Sequence, residues 1–368
     1  MFKDYLVEGI DIVSKNLTLL LEQFQVNQVV SSLLIDGAIA GVGGILAFLP
    51  NIFILFLALA VLEDSGYMSR VAYVMDGIMG KVGLSGRAFI PLLLGFGCSV
   101  PAIMASRALE DPHDRLKTIL VTPFMSCSAR LPIYILFAGT FFPDNAMLVA
   151  FSMYVLGIVV AIAVAKIFYK VDAPTHKNVL LIELPEYKSP NVTSIFLYAW
   201  EKVKSYLSKA GTTIFVASII IWFILNFNLS GMVEINDSFG ASIGKFLAPL
   251  LIPAGLGLWQ IVVALISGIA AKEVVVASLS VLYGISNINS AEGMSEMVTQ
   301  LAQAGFTQLN AYALMVFCLL YTPCIASIVT IKKETNSTKA MLFSIVFQMV
   351  VAYIMATLVY QIGSVILR

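Results

Sequence analysis

Charge is scarce in this chain: Asp, Glu, Lys and Arg supply 12% of 368 residues, against about a quarter in a soluble domain. With 59% hydrophobic residues and a mean hydropathy of +0.92, that shortage excludes a water-soluble globular protein. Positive and negative side chains balance at 22 each, so nothing electrostatic points to nucleic acid or an acidic partner. Histidine is limited to His113 and His176, both in loop sequence, which leaves an intramembrane enzyme without a base for a nucleophile. The four cysteines form no CxxC pair and lie in or beside apolar segments, which excludes a zinc finger and a disulfide framework. A phosphate-binding loop is also lacking. The nearest sequence, Gly240 to Gly244-Lys245, is one residue short and continues with Phe246, so nucleotide binding by this chain is not expected. No cleavable signal peptide is visible: Asp4, Glu8, Asp11 and Glu22 interrupt Phe2, Tyr5, Leu6, Ile10 and Leu17, and residues 1–28 read as an amphipathic interfacial helix.

Long apolar runs are what the chain does have. Stretches at 33–62, 118–141, 146–168, 211–229, 311–331 and 341–366 are long enough to cross about 30 Å of hydrocarbon. Shorter, interrupted stretches occupy 89–106 and 259–283. Two segments combine helix breakers with thiols: Gly95-Phe96-Gly97-Cys98-Ser99-Val100-Pro101, and Thr122-Pro123-Phe124-Met125-Ser126-Cys127-Ser128-Ala129-Arg130-Leu131-Pro132, the latter echoed at Thr322-Pro323-Cys324. Hydrocarbon tolerates non-helical backbone only where protein buries it or a cavity meets it. Thiols beside freed carbonyls suggest a path for a soft or borderline cation.

Sixteen of the 22 positive charges fall in 63–88, 107–117, 166–210 and 331–340, whereas 142–146 and 284–310 have none and 230–258 has only Lys245. The first set is expected to face the cytoplasm and the second to face outward. Segment 89–106 then enters and leaves from inside, and 259–283 from outside. Each half reads as spanning helix, loop, re-entrant segment, loop, a spanning helix starting near Thr-Pro, and a last spanning helix. The expected fold is all-α, a polytopic membrane protein with an inverted repeat of two gate domains, each with a broken or re-entrant segment and the site near mid-bilayer. Ala105-Ser106 aligns with Ala277-Ser278 at an offset of 172, and Thr122-Pro123 with Thr322-Pro323 at an offset of 200. The longer external loop at 284–310 absorbs the difference. The expected divisions are 1–28, a first gate repeat at 29–170, a basic cytoplasmic linker at 171–210 and a second gate repeat at 211–368.

Several runs closely resemble the membrane region of the ferrous-iron transport protein B family: Leu62-Glu63-Asp64-Ser65-Gly66-Tyr67-Met68, Gly83-Leu84-Ser85-Gly86, Gly95 to Ala105, Pro123 to Pro132, Ala271-Lys272-Glu273-Val274-Val275 and Tyr321 to Ala326. The resemblance covers essentially the whole chain. It implies a multi-pass permease of the bacterial inner membrane with Fe²⁺ as transported substrate and no permanently bound cofactor. It also implies a cytoplasmic GTP-binding domain, on a missing segment or a separate chain, as partner beside the lipid bilayer, and allows a homo-oligomer. Since this chain begins where the family's first membrane helix would already have ended, a truncated or split gene is expected.

On this reading Cys98, Cys127 and Cys324 are the candidate metal ligands. Each has a plainer alternative, a small packed hydrophobe, which for Cys98 is offset by the breakers Gly95, Gly97 and Pro101 around it. Pro123 is expected to free the carbonyl of Ile119, and Pro323 that of Leu319. Ser99, Ser126 and Ser128 read as lining, and Cys318 as packing. Arg130, Lys272 and Glu273 are costly intramembrane charges, read either as an Arg130–Glu273 pair locking the halves or with Glu273 as cation ligand or proton carrier. Glu63 and Asp64, with Asp76, would form an acidic exit or a solvated loop, and Met104 and Met125 would be soft donors or gap-fillers. The alternative function is transport of a nucleoside-like organic solute or of another divalent metal.

Overall fold

The computed structural model describes residues 16–17, 28–171, 187–229, 231–233, 235–285 and 291–366. The interfacial helix expected at 1–28 and the first half of the expected linker, with His176, lie essentially outside these residues. In chain order the main helices are α1 (Ala40–Asp64), α2 (Tyr67–Val82), α3 (Phe89–Gly95), α4 (Ser99–Ala105), α5 (Pro112–Val121), α6 (Leu131–Phe141), α7 (Ala146–Val171), α8 (Val192–Tyr206), α9 (Thr212–Asn226), α10 (Phe239–Leu251), α11 (Trp259–Ala270), α12 (Val274–Leu282), α13 (Ala291–Gln303), α14 (Gln308–Leu320), α15 (Ile325–Thr335) and α16 (Thr338–Ile366). Among the described residues, strand is confined to the hairpin of β1 (Phe227–Asn228) and β2 (Gly231–Met232).

The chain forms two compact units, residues 1–70 with 183–240, and 71–182 with 241–368. In the first, α1 packs on α8 around Phe56, Ala199 and Val203, with Phe53 edge-on to Phe196. The acidic pair ending α1 is bonded within this unit: Tyr198 donates to Glu63 Oε2 at 2.9 Å, and the Asn191 N–H donates to Asp64 Oδ2 at 2.9 Å. A π-helical stretch interrupts each of its helical paths, Leu33–Ile39 before α1 and Leu207–Gly211 between α8 and α9.

Among its described residues the second unit is all-helical and built twice in the same order. Among the described residues, four helical stretches are long and apolar enough to cross a membrane: Pro112–Phe141, Pro143–Val171, Gln308–Thr335 and Thr338–Ile366. Two further pairs pass the same test only when each is joined across a sharp bend, Tyr67–Val82 with Gly86–Gly95 at 101° and Phe239–Ala254 with Trp259–Ala270 at 100°. The outer helix α7 turns Met147, Phe151 and Val159 outward and buries Met153, Gly157, Val160 and Ala161. Gly157 allows backbone approach, since a Cβ there would stand 2.8 Å from the Phe124 carbonyl oxygen. Helix α14 is buried along nearly its whole length, from Asn310 to Leu320.

Several expectations drawn from charge are corrected. Residues 63–88 are not a loop but largely the amphipathic helix α2, whose Asp76 accepts the Gly86 N–H at 2.8 Å to secure the bend. Most of 107–117 is helix as well: Asp111 caps α5 by accepting the His113 N–H at 3.0 Å, and Pro112 sits at its first turn. Thr122-Pro123 therefore lies in the middle of the Pro112–Phe141 span rather than at its start, and Thr322-Pro323 likewise divides Gln308–Thr335. The outer connection at 284–310 holds α13, which buries Met297 and Leu301.

Candidate functional site: four helix breaks and three thiols

Each half of the second unit has two broken helices. In the first re-entrant pair, α3 and α4 are separated at Cys98, which is extended (φ −154°, ψ 132°). Its counterpart between α11 and α12 is Ala271, with nearly the same backbone (φ −150°, ψ 133°). That equivalence fixes the internal offset at 173, one residue from the 172 expected from Ala105-Ser106. The same offset relates Gly95 to Gly268, and both glycines do the same work. A Cβ on Gly95 would lie 2.9 Å from Met125 Cβ, and one on Gly268 would collide with Val275 and the Tyr321 hydroxyl. Each lets a re-entrant helix press against the break of the following span.

Those later breaks carry the other two thiols. Cys127 (φ −76°, ψ 159°) and Cys324 (φ −59°, ψ 155°) are the extended residues from which the second half-helices start. Cys127 is buried, whereas Cys98 and Cys324 are half-buried. Cys318 lies inside α14 in the main hydrophobic core.

A helix break strands carbonyls, and in a membrane protein the protein itself must meet them. In the first half, Ser128 spans the two breaks by donating its N–H and its hydroxyl to the Gly97 carbonyl at 3.2 and 2.9 Å. Residues adjacent to Cys98 and Cys127 are thereby hydrogen-bonded to each other. Arg130, 1% exposed, sends Nη1 to the Met125 carbonyl at 2.7 Å and Nη2 to the Pro123 carbonyl at 3.1 Å. The Arg130 fork thus serves the carbonyls of its own break, whereas the sequence offered a pair with Glu273 as one of two readings. In the second half, Lys272, 3% exposed, donates to the Thr322 carbonyl at 2.5 Å, with its ammonium 3.0 Å from the Tyr321 ring centroid. The carbonyls that recruit side-chain donors are thus those of Gly97, Pro123, Met125 and Thr322, rather than the Ile119 and Leu319 carbonyls expected from proline geometry.

Cys98 and Cys127 stand at breaks that Ser128 joins through the Gly97 carbonyl. Cys324 Sγ lies 3.3 Å from Ser327 Oγ. Among the described residues no group of three or more His, Cys, Asp or Glu side chains is arranged to hold a metal ion together. Of the other candidates, Ser99 and Pro101 are buried in α4, while Met104 is half-buried there. Met125 packs in the core, and Ser126 donates to the Tyr134 hydroxyl at 3.1 Å, into packing. Pro323 is buried beside Cys324, and Glu273, half-buried, immediately precedes α12. Glu63 and Asp64 belong to the other unit. Sequence reasoning missed Thr322, whose hydroxyl is buried without a hydrogen-bond partner at the break of Cys324. It also missed the buried carboxylate of Glu334, gripped by Arg107 and Arg115.

Comparison with known proteins gives this architecture its relatives. A family model named Gate and described as "Nucleoside recognition" matches residues 45–141 and 207–338. A second, "Ferrous iron transport protein B C terminus", matches 150–202. The Fe(2+) transporter FeoB of Staphylococcus aureus strain MSSA476 is 44% identical over 332 residues, covering 90% of this chain and 49% of that protein. That of Methanocaldococcus jannaschii is 43% identical over 349 residues, covering 92% and 51%. A Porphyromonas gingivalis protein named as a fusion of Fe(2+) transport protein A and FeoB is 41% identical over 373 residues, covering 90% and 44%. This chain therefore spans about half the length of the curated relatives it matches. No solved structure matches it. Two gate segments built on the same succession of broken helices, and relatives of this similarity across nine-tenths of its length, mean that the chain belongs to the ferrous iron transport protein B family, of whose membrane region it is a part.

Proposed function

We propose that the chain is the permease part of an Fe²⁺ uptake system of the cytoplasmic membrane, and that Fe²⁺ passes through the place where the four breaks meet. The observation that carries the reading is the placement of Cys98, Cys127 and Cys324 at three of the four breaks, with Ser128 joining the first two through the Gly97 carbonyl and a buried, partnerless Thr322 hydroxyl at the break of Cys324. The relatives are named Fe(2+) transporters, which supports the choice of metal. The three thiols act in the proposal as ligands that converge fully only when the half-helices move.

Arg130 and Lys272 hold the site's carbonyls while no substrate is bound, and the ion displaces protons from the thiols it binds, so binding strengthens as pH rises. An inside-negative potential assists entry by about 4.6 kcal/mol per 100 mV for a divalent ion, roughly a thousand-fold in accumulation. Thiolate preference alone ranks Zn²⁺ and Co²⁺ above Fe²⁺, so selectivity in this reading comes from geometry, availability or gating. The GTP-binding partner acts from another domain or polypeptide.

The test is anaerobic Fe²⁺ uptake into proteoliposomes. The double variant Cys98→Ser, Cys127→Ser is expected to lose saturable uptake by more than about ten-fold. Unchanged uptake overturns the thiol site. The "Nucleoside recognition" description of the matching family model favours one second reading, an organic solute. Accumulation of a labelled nucleoside that ignores both cysteine replacements would favour it.

A further inference from the structure

The three elements that carry the break cysteines are clamped together again at their far ends. Glu334, at the end of α15, has a side chain only 2% exposed. Arg107, just beyond α4, takes it with a fork, Nε to Oε2 at 2.6 Å and Nη2 to Oε1 at 2.5 Å. Arg115, on α5, adds Nη2 to Oε2 at 3.1 Å and to the Glu334 carbonyl at 2.8 Å. One carboxylate from the second repeat thus binds two guanidinium groups from the first.

Between this cluster and the thiols lies a separate apolar plug. Ile103 of α4, Ile119 of α5 and Ile331 of α15 are each 1% exposed or less and pack on one another, backed by Met341. Each isoleucine stands about one helical turn from its charged residue: Arg107 follows Ile103 by four, Arg115 precedes Ile119 by four, and Glu334 follows Ile331 by three. The cysteines are further along the same elements, Cys98 five residues before Ile103, Cys127 eight after Ile119 and Cys324 seven before Ile331. The order along the chain in all three elements is therefore thiol, isoleucine, charge, with a rise of about 15 Å along α4 and α15, while Cys127 lies past the break that ends α5. The charged ends belong to the Lys- and Arg-rich segments 107–117 and 331–340, the side that charge asymmetry assigns to the cytoplasm.

We infer that Ile103, Ile119 and Ile331, latched by Glu334 between Arg107 and Arg115, form the inner gate between the thiol site and the cytoplasm, closed in this structure. The inference rests on the permease reading for what passes the gate, but not for the gate's construction. Dry apolar constrictions stop ions by excluding water, and this one is three side chains wide. Separating three helices that share one carboxylate needs the ion pairs to open together, which makes the release all-or-none. Arg107, whose side chain is 57% exposed, is the member of the latch that a cytoplasmic partner can reach.

The experiment reads thiol accessibility in membrane vesicles of either orientation with a charged, membrane-impermeant maleimide, followed at each cysteine by mass spectrometry. For Glu334→Gln, labelling of Cys98 and Cys324 from the Arg- and Lys-rich face is expected to rise at least about ten-fold, with no rise from the other face. The buried Cys318 is the internal control, and its labelling stays low if the fold is intact. A rise at Cys318 as well, or a rise from both faces, marks general loosening and overturns the gate. So does no rise at all in Glu334→Gln together with none in Ile331→Ala, which opens the plug without touching the latch. Glu334→Asp, which keeps the charge one methylene shorter, is expected to fall between. Labelling needs no metal, so a failure of the thiol site to bind Fe²⁺ leaves this result readable.

Discussion

The two halves of the second unit break their helices at matching places but bridge the gaps with different chemistry. In the first half, the re-entrant pair and the following span are joined by neutral donors, the N–H and hydroxyl of Ser128 on the Gly97 carbonyl. The buried cation at its later break, Arg130, stays within that break. In the second half, the corresponding join is itself the cation, Lys272 on the Thr322 carbonyl, stacked over Tyr321. The first half has sulfur at both extended positions, Cys98 and Cys127, whereas the second has sulfur only at Cys324 and a methyl group at Ala271. A duplicated backbone has thus been kept while one copy became the sulfur-rich side and the other the side whose closure depends on an ammonium.

The largest expected contrast follows from removing each buried cation. Arg130→Met strands two carbonyls and Lys272→Met strands one, so costs of about 2–6 and about 1–3 kcal/mol are expected, each partly offset by relief of a desolvated charge. Thermal unfolding of the purified chain in detergent is the check. The arginine variant should unfold at the lower temperature, and the lysine variant should fold but show altered Fe²⁺ uptake. Equal loss of stability would break the distinction between a cation that holds a break and one that closes a site.

How much of this was legible in the sequence follows the location of the breakers. Gly95, Gly97, Pro101, Pro123 and Pro323 announce three of the four breaks, and the charge asymmetry gave the repeat. The fourth break has no local signal: Ala270-Ala271-Lys272-Glu273 is good helix sequence, and Ala271 is extended because Lys272 is pulled to Thr322 and Gly268 is pressed on Tyr321. Helix α5 was hidden for the opposite reason. His113, Asp114, Arg115 and Lys117 read as a solvated loop, although Lys117 is only 5% exposed. The latch at Glu334 joins residues more than 200 positions apart, and as sequence it counts only as loop charge. Periodicity and breakers report local backbone choices, whereas pairing between repeats is decided by packing.

A smaller contrast separates the two glycines. In Gly95→Ala the new methyl meets Met125 Cβ, which can move only with its backbone, whereas in Gly268→Ala it meets a Val275 methyl and the Tyr321 hydroxyl, which are side-chain ends. Both overpack, at about 1–3 kcal/mol. Gly95→Ala should shift the segment bearing Cys127 and weaken Fe²⁺ binding in an anaerobic titration. Gly268→Ala should tilt Tyr321 under Lys272 and weaken binding less. The reverse order would mean that the second half, not the sulfur-rich first, sets the affinity.

The smallest effect is expected where the first half keeps a spare bond. Ser128→Ala removes the hydroxyl donor but leaves the N–H of residue 128 on the Gly97 carbonyl, so the join between the breaks persists at a cost of about 0.5–1.5 kcal/mol, toward the low end because Ser128 is exposed. Ser128→Pro removes the N–H as well as the hydroxyl and should cost more than Ser128→Ala and Lys272→Met taken separately, because no donor is then left for Gly97. Melting temperatures of the three variants, measured in one detergent, order the joins. If Ser128→Ala alone matches Lys272→Met, the first half depends on a side chain as the second does, and the neutral, main-chain character assigned to its closure is wrong.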